Sequence, residues 1–324
     1  MNTILTNTVL LLSVLFFVSV NLSYFCTRDN AYTLHLRRKF GFQNITTTGP
    51  IPSAPALIPP FIPFRSTFVT SPKYSLAACR IQKNLSTILL NLFCFLNTPR
   101  KFTKMVSSLT IEFRNFVSVK TCNETHATHI ANEKSFATKL AIIRDPVDRF
   151  LSAFVDKCIH EAKRKKHRCY GCNKDMLCVV KKQYERFQLI AQGKLSNFSY
   201  EDRHFAPMSW FCDFNSNTIR NYRFLYFGET EDEQAETVEE LMDVLDDHGV
   251  DNSTIAHISN ELNANRTKHS TSGSVIRKIV GQKMRSNSEV MNWLRLIYEN
   301  DYRIFNLHSP FQNNSDSRME KWEK

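Results

Sequence analysis

Short apolar segments alternate with helix-forming segments from Lys73 onward, and this alternation limits the fold more than any other property of the sequence. Three strand candidates, "SLAACRI", "FATKLAIIR" and "YRFLYFG", each precede a helix pattern. Strands that alternate with helices form parallel sheets covered by helices. The sequence therefore predicts an α/β protein with a three-layer parallel sheet.

The helix-forming segments differ in the spacing of their apolar residues. Residues 86–97 are apolar on nearly all sides, which predicts a buried helix. From about Val147 apolar residues recur every three or four positions, as on one face of a helix. Further helices are predicted at 231–249 and around 274–284 and 288–305.

An uninterrupted apolar run lies near the N-terminus. Residues 9–20 read "VLLLSVLFFVSV", and no charged side chain occurs before Arg28. Such a run is typical of a signal peptide or a signal anchor, so residues 1–27 are predicted to direct the chain into the secretory pathway. Basic residues follow the run, which does not favour a cytoplasmic N-terminus; cleavage and anchoring both stay open. The expected location is the Golgi lumen, as a single-pass membrane protein, or outside the cell.

An oxidising compartment agrees with the sequons and the cysteines. Eight N-glycosylation sequons are present, at Asn21, Asn44, Asn84, Asn123, Asn197, Asn252, Asn265 and Asn313. The nine cysteines are then expected to form disulfides. Four of them, Cys158, Cys169, Cys172 and Cys178, could bind zinc in a cytosolic protein. The cluster lacks a second matched C-x2-C pair, so disulfides are favoured and no metal is expected.

Seven of the eleven prolines fall between Pro50 and Pro72. Proline-rich sequence favours an extended, semi-rigid chain and excludes a regular helix or a central strand. Residues 28–72 are therefore interpreted as a stem before a globular domain at 73–312, with a polar tail at 313–324. In the alternative interpretation, the apolar residues of the stem pack on the domain.

Two polar clusters stand where a predicted strand passes into a helix, which is where parallel α/β sheets bind ligands. In "KNLST", residues 83–87, a lysine, two hydroxyls and the first-turn N–H groups could hold an anion. In "RDPVDRFLSAF", residues 144–154, Arg144 ends a strand and Ser152 lies two turns into the next helix. Helix capping, or a surface ion pair of Arg144 with a nearby aspartate, explains each cluster taken alone. Together they could bind two ends of one polyanionic nucleotide.

These two motifs resemble the signatures of sulfotransferases that use 3′-phosphoadenosine 5′-phosphosulfate (PAPS). The second is similar to that of the membrane-bound carbohydrate sulfotransferases related to the chondroitin and HNK-1 enzymes, and the chain looks like a divergent invertebrate branch of them. "HFAPMSWFCDF", from His204, and "LIYENDYRIFN", residues 296–306, resemble two further family segments. The resemblance covers about residues 73–307. It departs from the family at Gln82, where proline is usual, at Phe205, where tryptophan is usual, and in a loop without glycine.

The resemblance implies a P-loop-like sulfotransferase fold, a carbohydrate O-sulfotransferase activity and a role for each matched residue. The cofactor-binding residues that it implies are Lys83, Asn84, Ser86 and Thr87 at the 5′-phosphosulfate and Arg144 and Ser152 at the 3′-phosphate. Lys83 would also stabilise or protonate the leaving oxygen, and His204 is the candidate base for the acceptor hydroxyl. PAPS is thus expected as co-substrate, without a metal, and the acceptor as a glycosaminoglycan or a glycoprotein glycan.

The net charge of +11 suits an acidic partner. The expected acceptor is an acidic or neutral glycan. The secretory location argues against nucleic acid as a partner, and the N-terminal segment would contact a membrane if it is not cleaved. A secreted basic glycan-binding protein with an inactive sulfotransferase fold is the main alternative, because Gln82 departs from the family. A P-loop nucleoside triphosphatase or kinase would need G-x-x-x-x-G-K-[ST], which is absent.

Overall fold

The computed structural model describes residues 55–64, 67–106, 108–111, 124–125, 136–163, 165, 167–264 and 274–311. The N-terminal segment 1–27, the stem up to residue 54 and the polar tail 313–324 lie outside these residues, and so do the predictions made for them. In the part of the chain that the structure describes, no helix is long and apolar enough to cross a bilayer.

The described residues form a mixed sheet of five strands in the order β3-β1-β2-β4-β5. The strands are β1 (Phe68–Ser71), β2 (Leu76–Cys79), β3 (Glu124–Thr125), β4 (Thr138–Arg144) and β5 (Tyr222–Phe227). β2, β4 and β5 run parallel, whereas β1 pairs antiparallel with β2 and β3. The prediction of an α/β fold is confirmed. The three strands predicted from sequence, β2, β4 and β5, form the parallel part of the sheet. The sheet is mixed rather than parallel throughout, because a short turn at Pro72–Tyr74 returns the chain from β1 antiparallel into β2.

Helices account for most of the remaining described residues. They are α1 (Ser86–Asn97), α2 (Pro99–Met105), α3 (Pro146–Ala153), α4 (Met176–Ala191), α5 (Tyr200–Phe205), α6 (Glu231–Asp247), α7 (Asn252–Ala264), α8 (Val275–Arg285) and α9 (Ser288–Ile304). α3 continues directly into a π-helical segment, Phe154–Glu161. The buried helix predicted at 86–97 is confirmed, since Leu89, Leu92 and Phe93 are fully buried.

Alternate strand residues belong to two separate clusters of buried side chains. In β4, Leu140 and Ile142 belong to the cluster that contains α1, α6 and α7 side chains. Ala141 and Ile143 belong to the cluster that contains side chains of α3, α4 and α9. This division follows the two-residue period of a strand. Because both faces of β4 are buried, its sequence reads as a continuous apolar run.

The described part of the proline-rich stem packs on the domain. Ile58 is buried, and its backbone N–H donates to a carbonyl of α9 at 2.7 Å. The indole N–H of Trp210 donates to the carbonyl of Pro59 at 2.8 Å. The described stem residues therefore pack on the domain, as in the alternative interpretation, and the compact unit that contains the domain extends back to Pro55.

Disulfides form between described cysteines and confirm the interpretation of the cysteine cluster. The pairs are Cys79–Cys212, Cys158–Cys169 and Cys172–Cys178, and Cys94 is also disulfide-bonded. The first pair joins the end of β2 to the segment that follows α5. It therefore holds the region of "KNLST" close to the region of "HFAPMSWFCDF".

Candidate functional site

The loop between β2 and α1 holds two non-glycine residues in the left-handed backbone conformation. Lys83 has a φ of 71° and Leu85 a φ of 52°, on either side of Asn84. Residues with positive and negative φ thus alternate along this loop, and such alternation arranges backbone N–H groups around an anion-sized concavity. The first-turn N–H groups of α1, including those of Ser86 and Thr87, have no intrahelical acceptor, and no side chain caps them. The simpler explanation, in which Asn84 or Ser86 only caps the helix, does not apply.

Three arginines hold carbonyl groups of this loop. Arg149 Nε donates to Gln82 O at 3.0 Å, Arg144 Nη1 to Lys83 O at 2.8 Å, and Arg80 Nε to Ser86 O at 2.9 Å. Each bond occupies a carbonyl oxygen that would otherwise repel an anion. Arg149 is fully buried, and its Nη1 also donates to Ala206 O at 2.7 Å. It thus braces the loop against the segment that follows α5.

Asn84 anchors the loop to the sheet. Its side chain is fully buried, and Nδ2 donates to the carbonyl of Ile142 in β4 at 2.7 Å. Its backbone N–H donates to Ile81 O at 3.1 Å. The donor groups of Asn84 are therefore engaged inside the protein, and its side chain has no room for a glycan in the folded state.

Arg144 ends β4 and is buried against an aspartate of α3. Its Nε and Nη2 both lie 2.6 Å from Oδ2 of Asp148. The other carboxylate oxygen of Asp148 pairs with Arg277 of α8. The ion pair considered from sequence is therefore present, but it is buried and holds two arginines on one carboxylate. A guanidinium has five N–H donors, so Arg144 keeps donors that a phosphate could use.

A cavity of about 350 Å³ lies beside this carboxylate. Its lining includes Asp148, Leu151, Arg277, Lys278, Gly281 and Arg285. The missing side chain of Gly281 allows α8 to approach α3, because a Cβ there would come within 2.9 Å of Leu151 Cδ2. The close approach brings Arg277, one turn earlier in α8, to Asp148. Three basic side chains then face a cavity next to Arg144.

The hydroxyl-bearing residues predicted from sequence lie in two helices, on the first turn of α1 and in the second turn of α3. Ser86 and Thr87 are half-buried at the start of α1, and Ser152 is buried in α3, one turn before Asp156. The structure thus brings Lys83, Ser86 and Thr87 into one loop. The bond from Arg144 to the carbonyl of Lys83 places the second cluster beside it.

The ammonium of Lys83 lies in a buried cluster of charges. Its Nζ is 2.8 Å from Oδ2 of Asp156, in the π-helical segment. The same oxygen is 2.9 Å from Nζ of Lys157, which also lies 2.7 Å from Oε1 of Glu161. Burial lowers the pKa of Lys83 to about 8, against the opposing effect of Asp156. Lys83 is therefore mainly charged at neutral pH.

His204, the candidate base, lies in α5 within electrostatic reach of this cluster. Its Nδ1 lies 2.7 Å from the carbonyl of Tyr200, so Nδ1 carries the proton and Nε2 is an acceptor. Burial, and then the positive charges of Lys157 and Lys83, lower the pKa of His204 to about 3. The imidazole is therefore neutral at physiological pH. Phe205, which departs from the family pattern, is fully buried against Phe150.

α9, which contains "LIYENDYRIF", makes hydrogen bonds to the segment that follows His204 and to Asp145 at the start of α3. The carboxylate of Asp301 accepts the backbone N–H groups of Met208 and Ser209 at 2.6 and 3.0 Å. The hydroxyl of Tyr298 donates to Phe205 O at 2.6 Å, and that of Tyr302 to Oδ2 of Asp145 at 2.6 Å. This helix therefore fixes the segment after His204 and the start of α3.

Sequence reasoning missed several residues of this arrangement. Arg149 lies within "RDPVDRFLSAF", but nothing in the sequence indicates that its side chain is buried. The sequence does not indicate the positions of Asp156 and Lys157, because the spacing of apolar residues does not distinguish a π-helical turn from an α-helical one. Arg277 lies 129 residues from the aspartate that it pairs with. Together the N–H groups, arginines and lysine can hold a ligand with two anionic ends and stabilise charge on a leaving oxygen.

Comparisons with known proteins agree with this chemistry. The profile of the sulfotransferase family matches residues 66–308. The carbohydrate sulfotransferase chst-1 of Caenorhabditis elegans is 32% identical over 272 residues, 81% of this chain and 81% of its own. In the same species, the uncharacterized protein C18B2.2 is 30% identical over 78% of this chain and 72% of its own, and vep-2 is 28% identical over 65% and 67%. No solved structure matches the chain. The chain therefore belongs to the sulfotransferase family and is a carbohydrate sulfotransferase.

Proposed function

We propose that the protein transfers the sulfuryl group of PAPS to a hydroxyl of a glycosaminoglycan or a glycoprotein glycan. The observation that carries this proposal is the loop at Lys83 to Thr87. Three arginines hold its carbonyl groups, and no side chain caps the first-turn N–H groups of α1. The two core clusters on alternate residues of β4 favour a three-layer domain with a P-loop-like loop.

The donor would be held at two places. The N–H groups from Leu85 onward, with Ser86, Thr87 and the ammonium of Lys83, are suited to the 5′-phosphosulfate. Arg144 and Ser152 are suited to the 3′-phosphate. The cavity beside Asp148, which three basic side chains and the carboxylates of Asp148 and Glu229 line, could take the adjoining part of the nucleotide. Asn84 would serve this site by holding the loop to β4, since its donors bond within the protein.

The transfer step needs an in-line approach and stabilisation of the leaving group. The acceptor oxygen attacks sulfur, the bond from sulfur to the bridging oxygen breaks, and that oxygen leaves with negative charge as part of a phosphate. Lys83 lies in the loop of residues 83–87, called the donor loop below, where its positive charge would stabilise the leaving oxygen. The proton of the acceptor hydroxyl would go to Nε2 of His204, the ring nitrogen that can accept it. The low pKa of His204 makes it a weak base, so positioning would supply most of the rate.

The acceptor and the location follow from charge and from oxidised cysteines. A basic protein attracts anionic glycans, although a neutral glycan would also be compatible with the site. Disulfides in the domain favour folding in the secretory pathway. We therefore place the activity in the Golgi lumen or outside the cell, with membrane attachment through the N-terminal segment if that segment is retained.

The test is nucleotide binding followed by transfer. The purified protein should bind adenosine 3′,5′-bisphosphate in calorimetry and transfer labelled sulfate from PAPS to at least one member of a panel of desulfated glycosaminoglycans. Lys83→Met should reduce turnover by about a hundredfold or more, the scale for losing a charge that stabilises a transition state. Lys101→Met, on the exposed face of α2, is the matched control and should leave turnover unchanged.

The main alternative predicts a different result. An inactive glycan-binding protein would retain anionic glycans on a column but would bind no bisphosphate and transfer no sulfate. That outcome would reject PAPS as the donor for this chain.

A further inference from the structure

The carboxylate of Asp156 is shared by two lysines. Its Oδ2 lies 2.8 Å from Nζ of Lys83 and 2.9 Å from Nζ of Lys157. All three side chains are less than one-tenth exposed, so water screens these pairs weakly. A buried ammonium without a counter-charge tends to lose its proton. Asp156 supplies that counter-charge to Lys83.

The backbone that carries Asp156 is held in place. The segment is π-helical, a geometry that occurs mostly as single turns inside helices and often at functional sites. Cys158, two residues later, is fully buried and is bonded to Cys169. Asp156 therefore has little freedom to follow Lys83 if the ammonium moves.

The pKa is lowered for Lys83 but raised for Lys157. Burial alone would lower the pKa of Lys157, but Asp156, Glu161 and Tyr200 outweigh burial and raise it. For Lys83, Asp156 opposes burial without outweighing it, and the charges of Lys157 and Arg144 lower its pKa further. His204 also lies near and stays neutral at physiological pH. Lys157 is also paired with Glu161 and Arg144 with Asp148, so Asp156 is the carboxylate that holds the ammonium of Lys83 directly.

We propose that Asp156 is a positioning residue whose carboxylate holds the ammonium of Lys83 and gives it up to the phosphosulfate when the nucleotide binds. The inference rests on the proposed function, because it assigns the regulation of the same donor loop. In this exchange no covalent bond forms or breaks; one anionic partner of Lys83 replaces another. Asp156 thus determines the pH range in which the donor loop offers a full positive charge.

The test is the pH dependence of the Kd for adenosine 3′,5′-bisphosphate, measured from about pH 6.5 to 9.5, above the second phosphate pKa of about 6. In the wild-type protein binding should weaken above about pH 8, by up to about tenfold per pH unit, as Lys83 loses its proton. In Asp156→Asn the weakening should begin at least about one pH unit lower. At pH 6.5 this variant should bind as tightly as the wild type or more tightly, because no carboxylate competes.

Lys157→Met should move the onset in the opposite direction, because Asp156 would then serve Lys83 alone. This variant also carries the test if Asp156→Asn does not fold. Asp202→Asn is the matched control, since it removes a different buried aspartate, one that pairs with Arg186; it should keep the wild-type onset even if its melting temperature falls.

The outcomes separate the inference from the proposed function. An onset that stays at the wild-type pH in both Asp156→Asn and Lys157→Met would overturn the inference while leaving the nucleotide site intact. A wild-type protein that binds no bisphosphate at any pH would instead reject the nucleotide site itself, and the role of Asp156 with it.

Discussion

Replacing Arg149 by methionine tests whether the donor loop is braced from outside. Arg149 is fully buried and donates to the carbonyls of Gln82 and Ala206 at 3.0 and 2.7 Å. A hydrogen bond from a charged donor contributes about 1.5–3 kcal/mol, so the two bonds amount to about 3–6 kcal/mol. Methionine has a similar length and removes a buried charge whose pKa is already lowered by burial, which offsets part of the loss.

The expected net destabilisation of Arg149→Met is about 2–4 kcal/mol, which corresponds to a fall of about 5–15 °C in melting temperature for a domain of this size. The Kd for adenosine 3′,5′-bisphosphate should rise by about tenfold or more, because the loop carbonyl is released. Differential scanning fluorimetry and calorimetry measure the two effects. Arg303→Met, which removes a half-exposed guanidinium paired with Glu299, is the control and should change neither.

Two results would refute the reasoning on Arg149. A destabilised Arg149→Met protein that binds the bisphosphate with wild-type affinity would show that the loop keeps its shape without the brace. A variant with unchanged melting temperature would show that the buried charge costs as much as its two hydrogen bonds contribute.

Two further predictions concern glycosylation and acid stability. Glycopeptide mass spectrometry of protein secreted from eukaryotic cells should find Asn84 unmodified, because it is fully buried, whereas Asn197 and Asn252 are exposed and accessible; a glycan on Asn84 in folded protein would contradict the loop structure. Burial alone would raise the pKa of Asp202, but hydrogen bonds from Arg186 and from neighbouring groups outweigh it and hold that pKa below its usual range. The pair therefore stabilises the fold above about pH 4 and loses this contribution as the pH falls through the lowered pKa. In urea unfolding, Arg186→Met should be less stable than the wild type by about 1–2 kcal/mol at pH 6, with a difference that shrinks below pH 4; a constant difference would contradict the assignment.

The sequence predicted the parts of the site that depend on local pattern. The two strand-to-helix junctions at Lys83 and Arg144 could be located because an apolar strand, a polar turn and a helix follow one another in the chain. The bond from Arg144 to the carbonyl of Lys83 brings these junctions together. Their roles toward a nucleotide stay predictions, and the experiments above test them.

The parts that could not be predicted depend on contacts between distant segments. The spacing of apolar residues from Val147 onward continues through the π-helical segment without interruption. It therefore gives no sign of the turn that brings Asp156 to Lys83, 73 residues away. β1 lies among prolines, where a strand is not expected, and it pairs antiparallel because the chain turns back directly into β2. The buried Arg149 resembles a surface residue of an amphipathic helix until the loops that accept its hydrogen bonds are in place.

The disulfide Cys79–Cys212 makes the geometry of the proposed donor site depend on the compartment in which the chain folds. It closes a loop of 133 residues, and its two ends lie just before Lys83 and within the segment that begins at His204. A cross-link of this span restricts the unfolded chain strongly, and it forms only where thiols are oxidised. Molecules that fold in a reducing compartment would lack this link between the two halves of the site. The affinity for PAPS would therefore depend on the compartment in which a molecule folded as well as on whether it is folded.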